Sequence, residues 1–435
     1  MSIKTTFKNS ISFKLCKAFF WDNSRVLFKD SKILQKLNIF NNQYLSIIFL
    51  GLSILSVWYE SLFTLLGAGW VESFNLGAIF LFLAFLFCDK RRILSTKSVI
   101  YLMLFLFISL VSCLWASLMG LELGMLLIGF LLFCQFVFAF VTASTYKDKF
   151  TFINIILVVS LPSLAVGIFQ GFFGAATSRL WVSIAEQLVD SRAFAFFSSP
   201  NILGSVCMVM SIVAITAWLD QRKWCYLVYT LLAILTLILT FSRSAWLGLA
   251  IGIIVALIIK NWKLMAFTPL GFLALLVPSI RQRLLVVFSQ SYLVDAALDG
   301  RIWSFNNAIE IFKSSPLIGT GPGTYGGQTA IYYDSPIYLR GMQNGYVALP
   351  YTDNQWLQVL VQTGVIGALS MGCFFVSHFV SNLRQYIRAR QYFSLGIIAA
   401  TAAIIVNGAF ANILEFGAVS ILAGAYLGLG GNYEK

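Results

Sequence analysis

The side chains able to do chemistry in this sequence are few, and they gather in three short motifs and one long polar stretch. Arg192 stands in Asp190-Ser-Arg-Ala-Phe-Ala-Phe-Phe-Ser-Ser-Pro-Asn-Ile-Leu-Gly204, just ahead of Pro200 and Asn201. Proline suits the first turn of a helix, where no donor is needed. The free amides of that turn and the Arg192 guanidinium would together attract an anion; the competing reading is an arginine that snorkels and orients its helix. Arg243 lies in Thr240-Phe-Ser-Arg-Ser-Ala-Trp246, a turn too tight for a true loop, where it either pairs with a phosphate or anchors the hairpin. Arg301 follows Asp299 and Gly300, and Ile302, Phe305, Ile309 and Phe312 then recur at helical spacing. This spacing predicts an amphipathic helix able to lie on a membrane, with Asp299 as its cap and a guanidinium on its first turn to grip phosphate oxygens bidentately. Finally, Asp353 and Asn354 open an apolar segment in Tyr351-Thr-Asp-Asn-Gln-Trp-Leu-Gln358. There Asp353 either orients and deprotonates a hydroxyl, with Asn354 beside it, or merely caps the helix.

Other chemistries find no support. The run Leu317-Ile-Gly-Thr-Gly-Pro-Gly-Thr-Tyr-Gly-Gly327 looks like a nucleotide loop, but it lacks the lysine and the preceding strand that such a loop needs. Its glycines are expected to make tight turns that re-aim the chain. The polar stretch contains neither an Asp-x-Asp pair nor a histidine cluster, so neither a metal nor another cofactor is expected. The seven cysteines all lie in or beside apolar segments, and the single histidine, His378, reads as an interfacial or packed side chain.

The elements that must hold these groups are membrane helices. Of the 435 residues, 59% are hydrophobic and 11% charged, with a mean hydropathy of +0.85, against about 25% charged in a soluble domain. The fold class expected is therefore all-α and polytopic, with about twelve transmembrane helices. The apolar stretches centre on 44–60, 73–88, 98–116, 123–143, 151–171, 201–218, 224–241, 244–259, 264–279, 355–380, 393–412 and 415–430. The domain order is a basic tail (1–43), nine helices (44–279), a large polar loop (280–352), then three helices and a short terminus (353–435). Alternating the ends puts 22 of the 30 Lys and Arg on one side, including eight in the tail. The positive-inside rule then makes both termini cytoplasmic and the long loop external. So distributed, the net charge of +13 argues for an anionic lipid surface and against nucleic acid. Almost every charge sits at a segment end, Glu60, Glu72, Glu122 and Glu415 at the outer edge among them, and no pair of broken helices is evident. This geography favours an outward-facing site over a path across the bilayer, which leaves a transporter of an anionic solute or polysaccharide as the alternative.

Taken in order, the Ser-Arg-Ala-Phe-Ala-Phe-Phe-Ser-Ser-Pro-Asn-Ile-Leu-Gly motif, Phe-Ser-Arg-Ser-Ala-Trp-Leu-Gly, Gly-Arg-Ile-Trp, Pro-Leu-Ile-Gly-Thr-Gly-Pro-Gly-Thr-Tyr and Asp-Asn-Gln-Trp-Leu-Gln with Gly364-Val-Ile-Gly367 resemble the O-antigen ligase and polymerase superfamily over about residues 190–370. The resemblance implies a glycosyltransferase of the GT-C type in a bacterial cytoplasmic membrane. Its donor would be a glycan on undecaprenyl diphosphate, and its acceptor a glycan, a lipid or a protein. The family's functional arginines fall on Arg192 and Arg301; Arg243, which the resemblance does not assign, is expected from its own motif as a further diphosphate ligand. Where ligases commonly carry a histidine, this sequence has Asp353.

Overall fold

The computed structural model describes residues 41–59, 70–89, 97–174, 191–264, 266, 276–290, 301–337 and 352–431. Every regular element among them is helical. Ten come before the glycine-rich run: α1 (Gln43–Trp58), α2 (Trp70–Phe87), α3 (Lys97–Leu118), α4 (Leu123–Ala143), α5 (Lys149–Phe173), α6 (Pro200–Gln221), α7 (Trp224–Leu239), α8 (Arg243–Asn261), α9 (Pro278–Leu285) and α10 (Arg301–Ser314). The short α11 (Gln328–Tyr332), the long α12 (Gln355–Ala389), α13 (Tyr392–Gly408) and α14 (Gly417–Leu429) follow.

Eleven of the twelve apolar stretches are helices, and the ninth (264–279) lies mostly outside the described residues, as do residues 1–40 of the basic tail and Asp299. Among the described residues, six helices are long and apolar enough to cross a membrane: α3, α4, α5, α6, α8 and α12. Five more are apolar but shorter. Of the twelve expected spans, eleven are helices among the described residues, and six of these have full spanning length.

The centre of the bundle is α6, α13 and α14, whose side chains are buried on nearly every face. Helices apolar all round belong inside such a bundle. At the periphery, α8 buries only Ser244, Ala245, Gly248 and Gly252, a stripe of small residues that lets it lie close against α13. The outward faces stay apolar, with Phe107, Leu114, Phe173 and Leu369 all exposed, as lipid contact requires. His378 is completely buried, stacked on Phe374 and edge-on to Phe140, so it is a packed core side chain.

One feature is absent from the sequence reading. Inside α12, Gly364 leaves helical geometry with φ 65° and ψ −174°, so this is a broken helix. A break of this kind frees backbone groups that lipid cannot satisfy. Here the glycine-rich run fills it: Thr320 and Gly321 amides donate to the Val361 and Gln362 carbonyls (2.9 and 3.0 Å), and the Val365 amide donates to the Pro316 carbonyl (2.9 Å). Ser112 Oγ of α3 donates to the Gln362 carbonyl as well (2.8 Å). A Cβ on Gly364 would overlap the Leu317 carbonyl, and the run itself is buried from Gly319 to Gly327. Positive φ at Gly319, Gly321, Gly323 and Gly326 bears out the tight turns; the run serves as a plug seated in the bundle.

Candidate functional site

Arg301 and Asp353 meet. Arg301 Nε donates to Asp353 Oδ2 at 3.1 Å across 52 positions of sequence, and an Arg301 terminal nitrogen donates to the Phe410 carbonyl at 3.2 Å. The pair is accessible, with side chains 29% and 40% exposed.

Three elements hold Arg301 there. It is the first described residue of α10, which packs on α12 through Ala308 against Val361 and Tyr325. Tyr325, from the glycine-rich run, donates its hydroxyl to the Ser304 carbonyl (3.0 Å), while Gln362 Nε2 donates to the Tyr325 carbonyl (2.7 Å). The break in α12 thus sets the register of the helix that carries Arg301. Ile302 and Ile309 point outward, and Ser304 and Ala308 inward. The helix therefore keeps an apolar outer edge while its small residues make the contact with α12.

The cap is Asn354, not Asp353. Asn354 Oδ1 accepts from the Trp356 and Leu357 amides, both at 3.0 Å, which satisfies the first turn of α12. This removes the capping reading of Asp353. Asp353 itself sits at φ 50°, a left-handed conformation that costs a non-glycine residue about 1–3 kcal/mol and is found preferentially at functional sites. Ala195 and Phe241, inside the first two arginine motifs, share this backbone state with φ 49° and 52°.

Arg192 lies deeper, only 2% exposed. Its Nε donates to the Thr240 carbonyl and a terminal nitrogen to Asn201 Oδ1, both at 2.9 Å. Pro200 opens α6 as expected, with Ser199 Oγ accepting from the Asn201 amide as its cap. Arg243 opens α8 and is partly exposed. Its guanidinium reaches the Arg283 carbonyl (3.4 Å), and Arg283 Nε reaches the Phe241 carbonyl (3.3 Å). Arg192, Arg243 and Arg283 therefore converge on the single turn between α7 and α8.

The two groups of arginines share one end of the bundle. A hydrogen-bonded path runs from Arg192 to Asn201 Oδ1, then from the Asn201 carbonyl to Ser205 Oγ (2.9 Å), and from Ser205 to Asn407 Nδ2 (2.7 Å). The Asn407 carbonyl accepts from the Phe410 amide (3.0 Å), whose own carbonyl holds Arg301. Sequence reasoning missed Arg283, the Phe410 carbonyl and the buried polar side chains Gln355, Gln358, Asn412 and Glu415 beneath Asp353. A signal existed in Gln355, Gln358 and Gln362, which form a polar stripe at helical spacing on an otherwise apolar helix.

Glu415 lies in the connection between α13 and α14, outside the apolar helices, and burial pushes its carboxyl above the ordinary glutamate range. Gln358 and the amides at the start of α11 oppose that shift by donating to it. Among the described residues, no group of three or more His, Cys, Asp or Glu side chains is placed to hold a metal ion.

No curated protein matches this chain. One family model does, and its matched segment begins within α7, contains Arg243, Arg283, Arg301, the glycine-rich run and Asp353, and ends eight residues beyond the break at Gly364. Over residues 228–372, one third of its length, the chain matches the family model described as Wzy_C, O-antigen ligase, which supports a membrane glycosyltransferase of the O-antigen ligase and polymerase superfamily.

Proposed function

We propose that the protein moves a glycan from an undecaprenyl-diphosphate-linked donor to an acceptor hydroxyl at the outer face of the bacterial cytoplasmic membrane, without a metal ion. The observation that carries this reading is the accessible Arg301–Asp353 pair, a cation for the donor beside a base for the acceptor, built within the family segment. The charge bias of the loops supports the outward orientation, since the arginines stand on the side poor in basic residues.

The acceptor oxygen attacks the anomeric carbon, and the bond from that carbon to the phosphate oxygen breaks. The electron pair leaves with undecaprenyl diphosphate, and the acceptor proton passes to the Asp353 carboxylate. Diphosphate is a good leaving group, so what accelerates the step is positive charge where negative charge develops. Arg301 supplies the accessible contact. Arg243 and the buried Arg192 add field and ligands from the α7–α8 turn, where low dielectric strengthens their effect. When the diphosphate takes over the Arg301 guanidinium, Asp353 is released toward the acceptor. Asn354, its carbonyl oxygen engaged by α12, offers its amide nitrogen to orient the acceptor.

Glycan profiling of a strain lacking the gene tests this reading. Shortened surface chains mark a polymerase, and a lipid-linked polymer left unattached marks a ligase acting on lipid or protein. An unaltered glycan overturns the proposal. Transfer in membranes that persists in EDTA supports metal independence, and its loss contradicts it.

A further inference from the structure

The connection between α13 and α14, residues 409–416, lies beyond the segment that the family model covers, yet it touches Arg301, the glycine-rich run and the start of α12. Phe410 gives its carbonyl to Arg301 (3.2 Å). Asn412 Nδ2 donates to the Gly326 carbonyl (2.7 Å) and to Gln358 Oε1 (2.8 Å). The Leu414 amide donates to Gln355 Oε1 (2.7 Å). Glu415 anchors the far end: Oε2 accepts from Gln358 Nε2 (2.7 Å) and Oε1 from the Thr329 amide (3.4 Å). The carboxylate fills the space where Gly327 lacks a side chain, since a Cβ there would collide with both of its oxygens.

These bonds converge on Asp353. The Gly326 carbonyl that Asn412 holds also accepts from the Thr352 amide (3.1 Å), immediately before Asp353. On the other side, the Gln358 backbone amide donates to the Asn354 carbonyl (3.1 Å), immediately after, as a helical bond in the first turn of α12. Asp353 is thus pinned at both neighbours in a backbone state it would not adopt unaided, and Gln358, Asn412, Gln355 and Thr352 are all buried. Glu415 touches neither Arg301 nor Asp353 in any of these bonds.

We propose that Glu415 is a positioning residue for the transfer step: through Gln358, Asn412 and Gly326 it fixes the backbone that aims Asp353. The inference rests on the reading in which that pair acts on the glycan donor. Its role is reproduced by geometry alone, which allows an exchange experiment. In Glu415→Gln the amide at 415 faces the Gln358 amide and one hydrogen bond is lost. In the double variant Gln358→Glu with Glu415→Gln the bond is restored with donor and acceptor reversed, and Asn412 and Thr329 keep their acceptors.

The full-length chain in proteoliposomes is assayed for transfer from the lipid-linked glycan that accumulates in the deletion strain, and for affinity toward undecaprenyl diphosphate. Glu415→Gln is expected to slow transfer about 10-fold to 100-fold, the scale of a misplaced catalytic group, with parental affinity for undecaprenyl diphosphate. The double variant recovers most of the rate. If Glu415→Gln does not accumulate, Asn412→Leu, which cuts the same connection, is expected to show the same separation of rate from affinity. Parental rates in the single variants, an equal loss of affinity, or a double variant as slow as Glu415→Gln overturns the inference. A parental chain that neither binds undecaprenyl diphosphate nor transfers overturns the donor reading, and this inference with it.

Discussion

The Arg301 guanidinium lies 3.1 Å from the Asp353 carboxylate, yet the residue that caps the helix at that point is the neighbour, Asn354. This separates two roles that adjacent polar residues usually confound. Asn354→Ala is expected to lower stability by about 1 kcal/mol through loss of the cap, and to slow transfer modestly beyond the loss of folded protein because the amide that orients the acceptor is gone. Asp353→Asn tolerates the same backbone conformation and is expected to leave the thermal midpoint unchanged while abolishing transfer. Thermal unfolding of the detergent-solubilised protein, read beside glycan transfer, checks both; equal activity in Asp353→Asn and the parent rules out the carboxylate as base.

Asp353→Gly extends the comparison. Relief of the left-handed backbone favours glycine by about 1 kcal/mol, against an exposed ion pair worth about 1 kcal/mol or less. The variant is expected to be as stable as the parent or more so, and inactive. A marked fall in its unfolding midpoint contradicts the strain assigned to this position.

Gly364→Ala tests the plug in α12. Its φ of 65° and the Leu317 carbonyl beside it leave no room for a methyl group. The expected result is loss of accumulated protein, since neither the helix nor the glycine-rich run can shift without orphaning the Val361 carbonyl and the Val365 amide. Gly372→Ala, where a Cβ meets nothing within 4 Å, is the control expected to accumulate normally. Full accumulation of Gly364→Ala contradicts the seating of the run.

Glu415 gives a pH dependence of stability. Burial raises its folded pKa above the unfolded value, so the folded state binds the proton more tightly. The stability this contributes is full below the ordinary glutamate value and is lost as pH rises through the raised one. The difference in unfolding midpoint between the parent and Glu415→Gln is therefore expected to shift against the parent across that window. A difference independent of pH shows that the carboxyl does not titrate there.

Much of the fold was legible because a bilayer imposes a simple rule: an apolar run of sufficient length becomes a helix. Pro200 and Asn201 likewise announced the start of α6, and the spacing of Ile302, Phe305, Ile309 and Phe312 the helix that carries Arg301. What could not be read was the break at Gly364. A glycine inside an apolar run carries no local mark of a left-handed turn; its conformation is imposed by residues 316–321, more than 40 positions earlier in the chain. For the same reason Arg301 and Asp353 were legible as separate candidates, whereas their pairing was not. Arg192 was expected at a surface, but the Thr240 carbonyl and Asn201 draw it inside, because a guanidinium can bury itself wherever backbone oxygens satisfy it.

The most direct test of the account is the rate of glycan transfer by Arg301→Ala in proteoliposomes supplied with the undecaprenyl-diphosphate-linked donor. Its ion pair is exposed, so the variant is expected to fold and accumulate as the parent does, while transfer falls about 100-fold to 1000-fold. A folded Arg301→Ala protein that transfers glycan at the parental rate contradicts the central claim.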